Sequence, residues 1–310
     1  MLTQSLRQAI LFVLATLLVA CVPVAPIATQ DEAPTIPTEY VNPEILVDTD
    51  WVLENLDDDA VTILDITNEE DFAAGHIPNA VFADIFVDFT NPNDSTRGQI
   101  ITQDGLTDLM SRLGASNDDT IIVYDARSNL FAARAYWVLK YYQHADVRIY
   151  NGGLIKWQED GQELTTETVV PEAADYAAGE ADPEIRTTWE YVVEHTDDPS
   201  TLTCDTRSAE EYAGTDVRSD RGGHIPGAIL LEWNNAVNSD GTFRTAQELG
   251  DLYVAAGFTP DKEIITYCQT GIRGAHTWFV LGELLGYPSV RNYDGSWEEW
   301  GNRADSPIEQ

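Results

Sequence analysis

At residues 264–276 the sequence reads Ile264-Ile265-Thr266-Tyr267-Cys268-Gln269-Thr270-Gly271-Ile272-Arg273-Gly274-Ala275-His276. A β-branched apolar run ends at Cys268, a short loop containing Gly271 follows, and a helical pattern begins at Arg273. A strand, a tight loop and a helix N-terminus point several backbone N–H groups at one place, which suits an anion. The helix end and a nearby guanidinium also favour thiolate over thiol. We therefore interpret Cys268 as a nucleophile in an anion-binding loop, rather than as a buried cysteine at a strand end.

Three ordered motifs resemble those of the rhodanese family of sulfurtransferases. Cys268 and Arg273 have the Cys-x-x-x-x-Arg spacing of the active-site loop in many bacterial members. The stretch 224–228 (His-Ile-Pro-Gly-Ala) precedes this loop, and the stretch 293–300 (Tyr-Asp-Gly-Ser-Trp-Glu-Glu-Trp) follows it. Related phosphatases of the same fold have one more residue between Cys and Arg, which widens the loop for a phosphate. The loop length therefore favours sulfane sulfur over a phosphoryl group.

The resemblance implies roles for individual residues. Cys268 is the expected nucleophile, and Arg207 is expected to bind the anionic end of the sulfur donor, supported by Asp205. Arg273 is expected to brace the loop through backbone carbonyls and to contact substrate secondarily. The expected substrate-binding residues are Arg207, Gln269, Thr270, Gly271, Ile272 and Arg273.

The implied reaction is sulfur transfer in two steps. The Cys268 thiolate attacks the sulfane sulfur of thiosulfate, sulfite leaves, and a cyanide or thiol acceptor then removes sulfur from the Cys268 persulfide. Thr270 stands where animal thiosulfate enzymes have Lys, and Gln269-Thr270 departs from the Cys-Gly-Ser-Gly loop of mercaptopyruvate enzymes. A persulfide donor and 3-mercaptopyruvate therefore stay as alternative donors, and a non-catalytic module that senses sulfur species stays as an alternative function. No metal and no organic cofactor are expected.

An internal repeat organises the chain. The run 121–125 (Ile-Ile-Val-Tyr-Asp) matches 264–268 (Ile-Ile-Thr-Tyr-Cys), and each is followed after 26 residues by a related motif, at Asn151 and at Asp294. Short β-branched runs alternate with amphipathic stretches throughout. This alternation predicts an α/β fold with mostly parallel sheets, helices on both faces and active loops at the strands' C-terminal ends. Together with the repeat, the resemblance implies two tandem rhodanese-like domains of this kind.

The two copies differ where chemistry is concerned. We predict a non-catalytic domain over residues 44–165, a linker over 166–183 and a catalytic domain over 184–310. In the first copy, Asp125 takes the position of the nucleophile and Leu130 that of the loop-closing Arg. We expect the Asp125 carboxylate to occupy its own anion-binding loop, and the first domain to supply an interface and one wall of the active-site cleft.

The chain carries a formal net charge of −36. Such a surface excludes nucleic acid as a partner, because no basic patch is available to neutralise phosphates. It also repels anions at long range, so an anion site must be locally basic. The second copy has an insert at 213–222 containing Arg218 and Arg221, either a basic flap over the site or a longer surface loop.

The N-terminus predicts export. Residues 1–20 hold one base, Arg7, and a twelve-residue apolar run that is typical of a signal peptide. The run ends at 18–21 (Leu-Val-Ala-Cys), which resembles a bacterial lipobox with Cys21 as the lipidated residue; an ordinary signal peptide or a signal anchor is the alternative. Residues 21–43 are expected to be a spacer. We expect an extracytoplasmic monomer that contacts a bacterial membrane only through its lipid.

The remaining candidate residues are expected to be structural. Cys204 lies in a predicted strand and is expected to be buried, with a Cys204–Cys268 disulfide as the alternative. His76 and His224 occupy the same place in both copies, including the copy without a thiol, and His276 is expected in the core. Trp233 is a candidate for lining the cleft. No Cys-x-x-Cys or His-x-x-x-His spacing occurs, so no metal site is predicted.

Overall fold

The computed structural model describes residues 36–310. The predicted signal peptide, the lipidation of Cys21 and the first part of the spacer lie outside these residues. Within 36–310, no helix combines the length and apolarity needed to cross a bilayer. The last part of the predicted spacer packs on the second domain, because Val41 N donates to Leu284 O (2.9 Å) and the Asn42 side chain donates to Glu283 O (3.0 Å).

The first domain is built on a five-stranded sheet in which every strand pair is parallel, in the order β1-β5-β4-β2-β3. Its strands are β1 (Leu46–Val47), β2 (Val61–Asp65), β3 (Val81–Phe82), β4 (Thr120–Tyr124) and β5 (Val147–Tyr150). Its helices are α1 (Thr49–Glu54), α2 (Glu69–Ala74), α3 (Gln103–Arg112), α4 (Leu130–Tyr141) and α5 (Gly153–Glu159), with a 3₁₀ turn at Pro43–Ile45.

The second domain repeats this architecture, with strand order β6-β10-β9-β7-β8 and parallel pairing throughout. Its strands are β6 (Arg186–Thr187), β7 (Thr201–Asp205), β8 (Ile229–Leu230), β9 (Glu263–Tyr267) and β10 (Val290–Tyr293). Its helices are α6 (Trp189–His195), α7 (Ala209–Tyr212), α8 (Ala246–Ala255), α9 (Ile272–Trp278) and α10 (Ser296–Trp300); a 3₁₀ turn spans Trp233–Ala236, and α9 continues as a π-helix over Phe279–Leu284.

Apolar side chains cover both faces of each sheet, as expected for parallel strands. In the first domain, Leu64 and Val123 face a core shared with α3 and α4, whereas Ile63 and Ile122 face a separate cluster with α1 and α5. The predicted tandem α/β fold is therefore confirmed.

Helices α4 and α9 pack against each other and join the two domains. The core cluster on this side contains apolar residues of both copies, and Tyr136 meets Phe279 edge to face with ring centroids 4.7 Å apart. Such burial is the main source of stability at a domain interface.

The predicted linker is fastened to the first domain. Residues 166–182 carry no helix or strand, yet Ala174 N donates to Ser111 O (3.0 Å) and Gly179 N donates to Tyr142 O (2.9 Å). Tyr176 is buried, and His144 Nδ1 lies 3.1 Å from its hydroxyl. The segment therefore adds to the first domain's packing while it connects the copies.

Candidate active site

Cys268 sits where the sequence places it, at the end of β9 in the middle of its sheet. The loop turns at Gly271, whose φ of 76° is left-handed. A Cβ added there would lie 2.9 Å from the Asp294 carbonyl oxygen, so the turn requires glycine. Helix α9 starts at the next residue and directs its N-terminal amides toward the loop.

The corresponding loop of the first domain shows what these amides can hold. The Asp125 carboxylate accepts hydrogen bonds from the amides of Arg127 (2.8 Å), Asn129 (3.0 Å), Phe131 (2.6 Å) and Ala132 (2.9 Å). Burial raises the pKa of Asp125, and these four donors oppose that rise. The side chain fills its own anion site, as its position at the nucleophile's place predicts.

The second domain leaves three of the four corresponding donors free. The amides of Thr270, Ile272 and Gly274 correspond to three of the four that hold Asp125, and none of them has a hydrogen-bond acceptor within residues 36–310. The Cys268 thiol stands in place of the carboxylate and is 1% exposed. The loop thus has unused N–H groups around a sulfur atom, an arrangement that can stabilise a sulfur anion.

The 293–300 motif is hydrogen-bonded to the backbone of the Cys268 loop. Cys268 N donates to Ser296 Oγ (3.1 Å), which itself donates to Tyr293 O (2.8 Å). Trp297 N donates to Cys268 O (2.9 Å), and Glu298 N donates to Gln269 O (2.8 Å). The repeat signature therefore fixes the backbone of the nucleophile. The sequence shows this motif, but its spacing alone does not indicate this function for Ser296.

Arg273 is braced by a carboxylate rather than by the backbone carbonyls we expected. Its two terminal nitrogens lie 2.6 Å and 2.8 Å from the oxygens of Glu211, which is 1% exposed on α7. Burial alone would lower the pKa of Arg273, but Glu211 and the neighbouring Cys268 raise it overall. The sequence does not indicate this role of Glu211, because the spacing of Ser208 and Glu211 predicts only a capping box.

Arg207 occupies a different place from the one that the resemblance implies. It is 1% exposed and donates to both oxygens of Asp205 (2.9 Å and 2.6 Å from Nε and Nη2) and to Gly223 O (2.7 Å). It does not line the cavity above Cys268. Asp205 also accepts from the Tyr267 hydroxyl. Arg207 and Asp205 therefore form a buried ion pair beneath the loop.

The cavity above Cys268 has a volume of about 900 Å³ and lies between the domains. Gln269, Thr270, Ile272 and Arg273 of the second domain line one side, and residues of 85–98, Leu130 and Phe131 of the first domain line the other. The expectation that the first domain supplies one wall is confirmed by this lining. Trp233 is not part of it; its ring packs on His276 instead, with centroids 5.0 Å apart.

The two arginines of the insert at 213–222 have different environments: one lines the cavity, as a flap over the site would, and the other packs against the C-terminal segment. Arg218 lines the cavity and pairs with Asp216 (2.6 Å). Arg221 donates to the carbonyls of Ser306 (3.0 Å) and Trp300 (3.1 Å) and so anchors the C-terminal segment. Four arginines and one aspartate, Asp94, line the cavity, and each arginine is paired with a carboxylate outside the lining; the arginines are Arg97, Arg134, Arg218 and Arg273.

The histidines and the second cysteine are structural in the geometry. His76 and His224 stack on Phe72 and Tyr212 and lie 2.9 Å from those residues' carbonyls. His276 is fully buried, and burial lowers its pKa to about 3. Cys204 is buried in β7 with a free thiol, whose pKa is raised by burial. Within 36–310 no cluster of His, Cys, Asp or Glu could hold a metal ion.

Comparison with known proteins covers both domains. The sequence model of the rhodanese-like domain matches residues 48–160 and 188–303. The sulfur carrier protein TtuD of Thermus thermophilus is 44% identical over 87% of this chain and 98% of its own. The thiosulfate sulfurtransferase of Corynebacterium glutamicum is 39% identical over 87% of this chain and 92% of its own. A solved structure of an EanB persulfide variant with ergothioneine matches with a TM-score of 0.78 and 26% identity, covering 87% of this chain and 71% of that one.

Proposed function

The chain belongs to the rhodanese family, and from that premise we propose that it is a thiosulfate sulfurtransferase that carries sulfane sulfur on Cys268. The relative from Corynebacterium glutamicum bears that name over nearly the same length. Thiosulfate is the proposed donor, and cyanide or a thiol is the proposed acceptor.

One observation carries the proposal, namely the contrast between the two loops. Four backbone amides bind the buried Asp125 carboxylate in the first domain, and three of the corresponding amides are free around Cys268 in the second. A persulfide anion on Cys268 would place its terminal sulfur among donors that a matching loop already uses for an anion. Preorganised donors of this kind need no reorganisation when charge develops.

The first step is a displacement at sulfur. The Cys268 thiolate forms a bond to the outer sulfur of thiosulfate while the S–S bond of thiosulfate breaks, and sulfite leaves with the electron pair. Charge is conserved, since one thiolate and one dianion become one persulfide anion and one dianion. Arg273, held by Glu211, supplies the fixed positive charge nearest to this step.

A second candidate is a carrier that holds sulfur without rapid turnover with small acceptors. It is favoured by the 44% identity to a protein named a sulfur carrier. Steady-state turnover with thiosulfate and cyanide separates the two functions, because a carrier would load once and discharge slowly.

The decisive measurement is the intact mass of the full-length protein after thiosulfate treatment. We expect a gain of one sulfur atom that cyanide removes. Cys268→Ser should abolish the gain, whereas Cys204→Ala, which removes the other described thiol, should keep it. An adduct that persists in Cys268→Ser, or no adduct with thiosulfate or any other sulfane donor, would contradict the proposal.

We also propose that the enzyme is an extracytoplasmic lipoprotein anchored through Cys21, after removal of residues 1–20 as a signal peptide. The lipobox-like stretch 18–21 supports this, and it rests on sequence alone. Labelled fatty acid should enter the wild-type protein in membranes and not Cys21→Ser. We also propose a monomer, which sedimentation of the released protein would test.

A further inference from the structure

The cavity above Cys268 is much larger than thiosulfate needs. Its volume of about 900 Å³ falls in the range of sites for drug-sized organic ligands, about 300–1,000 Å³. A water molecule's share of the liquid is about 30 Å³, so an inorganic anion of a few atoms fills a small part of this space. Most of the cavity is therefore available to another molecule.

One part of the lining that the first domain contributes is apolar. Ile85, Phe86, Leu130 and Phe131 form this wall, and Phe86 meets Phe131 edge to face with centroids 5.3 Å apart. Phe86 is 57% exposed, more than any other aromatic side chain within residues 36–310. We call these four residues the apolar wall.

The apolar wall occupies the place where the first domain has lost its own chemistry. Leu130 stands at the position of Arg273, and Phe131 at that of Gly274. The Asp125 carboxylate accepts the hydrogen bonds of the amides in that loop, so they cannot bind another anion. The start of α4 therefore presents only hydrocarbon to the cavity. The inactive copy thus contributes a surface to the active one.

We propose that the apolar wall is the subsite for the carbon skeleton of the sulfur acceptor, and that this acceptor is an organic thiol with an aryl or branched alkyl group. The inference rests on the proposed function. Thiosulfate has no carbon and gains nothing from hydrocarbon, so in a two-step reaction the wall serves the second substrate. Apolar contact of this kind discriminates substrates modestly but measurably.

The transfer balances without a further reactant. The acceptor sulfur forms a bond to the outer sulfur of the Cys268 persulfide, and the S–S bond of that persulfide breaks with its electron pair going to Cys268. The acceptor's proton stays with the released organic persulfide, and the enzyme returns to the thiolate. The product is R–S–SH, in which R rests against the apolar wall during transfer.

The test compares two thiols of similar reactivity, 2-phenylethanethiol and 2-mercaptoethanol, on full-length protein loaded with thiosulfate. The rate of persulfide discharge is measured for each, and each is divided by the rate with cyanide in the same preparation. Effects on the persulfide itself then cancel. For wild type we expect a preference for the phenyl compound of about tenfold, which corresponds to about 1.4 kcal/mol.

Two variants of the apolar wall locate that preference. Phe86→Ala, at an exposed position, and Leu130→Gln, which replaces hydrocarbon with an amide, should each reduce it to threefold or less, mainly through KM. Val170→Ala removes an 88% exposed apolar side chain outside the cavity and should keep the tenfold preference.

The outcomes separate the inference from the proposed function. If thiosulfate loads Cys268 and the two wild-type rates are equal, or if Phe86→Ala and Leu130→Gln leave the preference intact, the subsite is wrong and the sulfurtransferase stands. If thiosulfate fails to load the protein, the proposed donor is wrong, and loading with inorganic polysulfide allows the same thiol comparison.

Discussion

The pair Glu211–Arg273 offers the sharpest perturbation of the site. Glu211→Gln keeps the shape of the side chain and can still complete the capping box with Ser208. It removes the charge that holds both terminal nitrogens of Arg273. Arg273 would remain beside Cys268 but lose its fixed orientation. The substitution therefore tests whether the loop's positive charge must be positioned as well as present.

The expected magnitude follows from the contacts. A hydrogen bond to a charged group contributes about 1.5–3 kcal/mol, and removing one partner of a buried ion pair costs about 3–5 kcal/mol. Glutamine retains one acceptor oxygen, so we expect about 3 kcal/mol of lost unfolding free energy. A domain's net stability of about 5–15 kcal/mol leaves the variant folded. Persulfide loading should slow about tenfold or more, because misplaced catalytic groups are costly.

The pH dependence of this effect has a definite sign. Burial alone would raise the pKa of Glu211, but Arg273 lowers it overall from its usual 4.5. A lowered carboxyl pKa contributes stability that is complete above about pH 4.5 and is lost as pH falls below it. The stability difference between wild type and Glu211→Gln should therefore shrink in acid.

The assay is chemical denaturation together with single-turnover loading by thiosulfate. Glu210→Gln is the matched control, since it removes an exposed carboxylate from the adjacent position of α7. If Glu211→Gln lost less than about 1 kcal/mol and loaded sulfur at the wild-type rate, the bracing assigned to this pair would be refuted.

Three further substitutions test the buried polar contacts around the two loops. Asp125→Asn should cost about 3 kcal/mol in denaturation, since two of its four amide donors would face an NH₂ group, while Cys268 still loads sulfur; loss of loading would mean that the first loop has chemistry of its own. Asp294→Asn should cost about 3–5 kcal/mol and slow loading, because Asp294 accepts from Ile100 N (2.9 Å) and pairs with Arg134 (2.7 Å) across the domains; an unchanged midpoint and rate would contradict this. The stability of wild type should fall by up to about 1.4 kcal/mol per pH unit between pH 6.5 and about 3, because the unfolded His276 imidazole binds a proton there and the buried one does not. His276→Leu should not show this fall; parallel curves of stability against pH for the two proteins would disprove it.

Much of the fold was predictable from local patterns. The equal spacing of Asp125 to Asn151 and of Cys268 to Asp294 predicted two copies, and β-branched runs predicted their strands. The position of Asp125 also predicted an occupied anion site, because a carboxylate in that loop meets the amides that a nucleophile would meet. These features depend on residues close in sequence or on a repeated register.

The pairings across long separations were not predictable. Glu211 pairs with Arg273 over a separation of 62 residues, and Asp294 accepts from Ile100 over a separation of 194 residues. No pattern in the sequence predicts either contact. The resemblance implies a substrate-binding role for Arg207. The structure instead buries it on Asp205, two residues away, and it does not line the cavity.

The sequence by itself determined the loop at Cys268 and the carboxylate that fills the matching loop of the first copy, because each depends on a short segment whose backbone direction follows from a strand, a tight turn and a helix start. Only the tertiary structure decided what surrounds Cys268. The packing of α4 against α9 places the first domain's Phe86, Leu130 and Phe131 over the second domain's thiol. Those contacts arise from burial of apolar surface between distant segments, which is non-directional and leaves no local pattern in the chain.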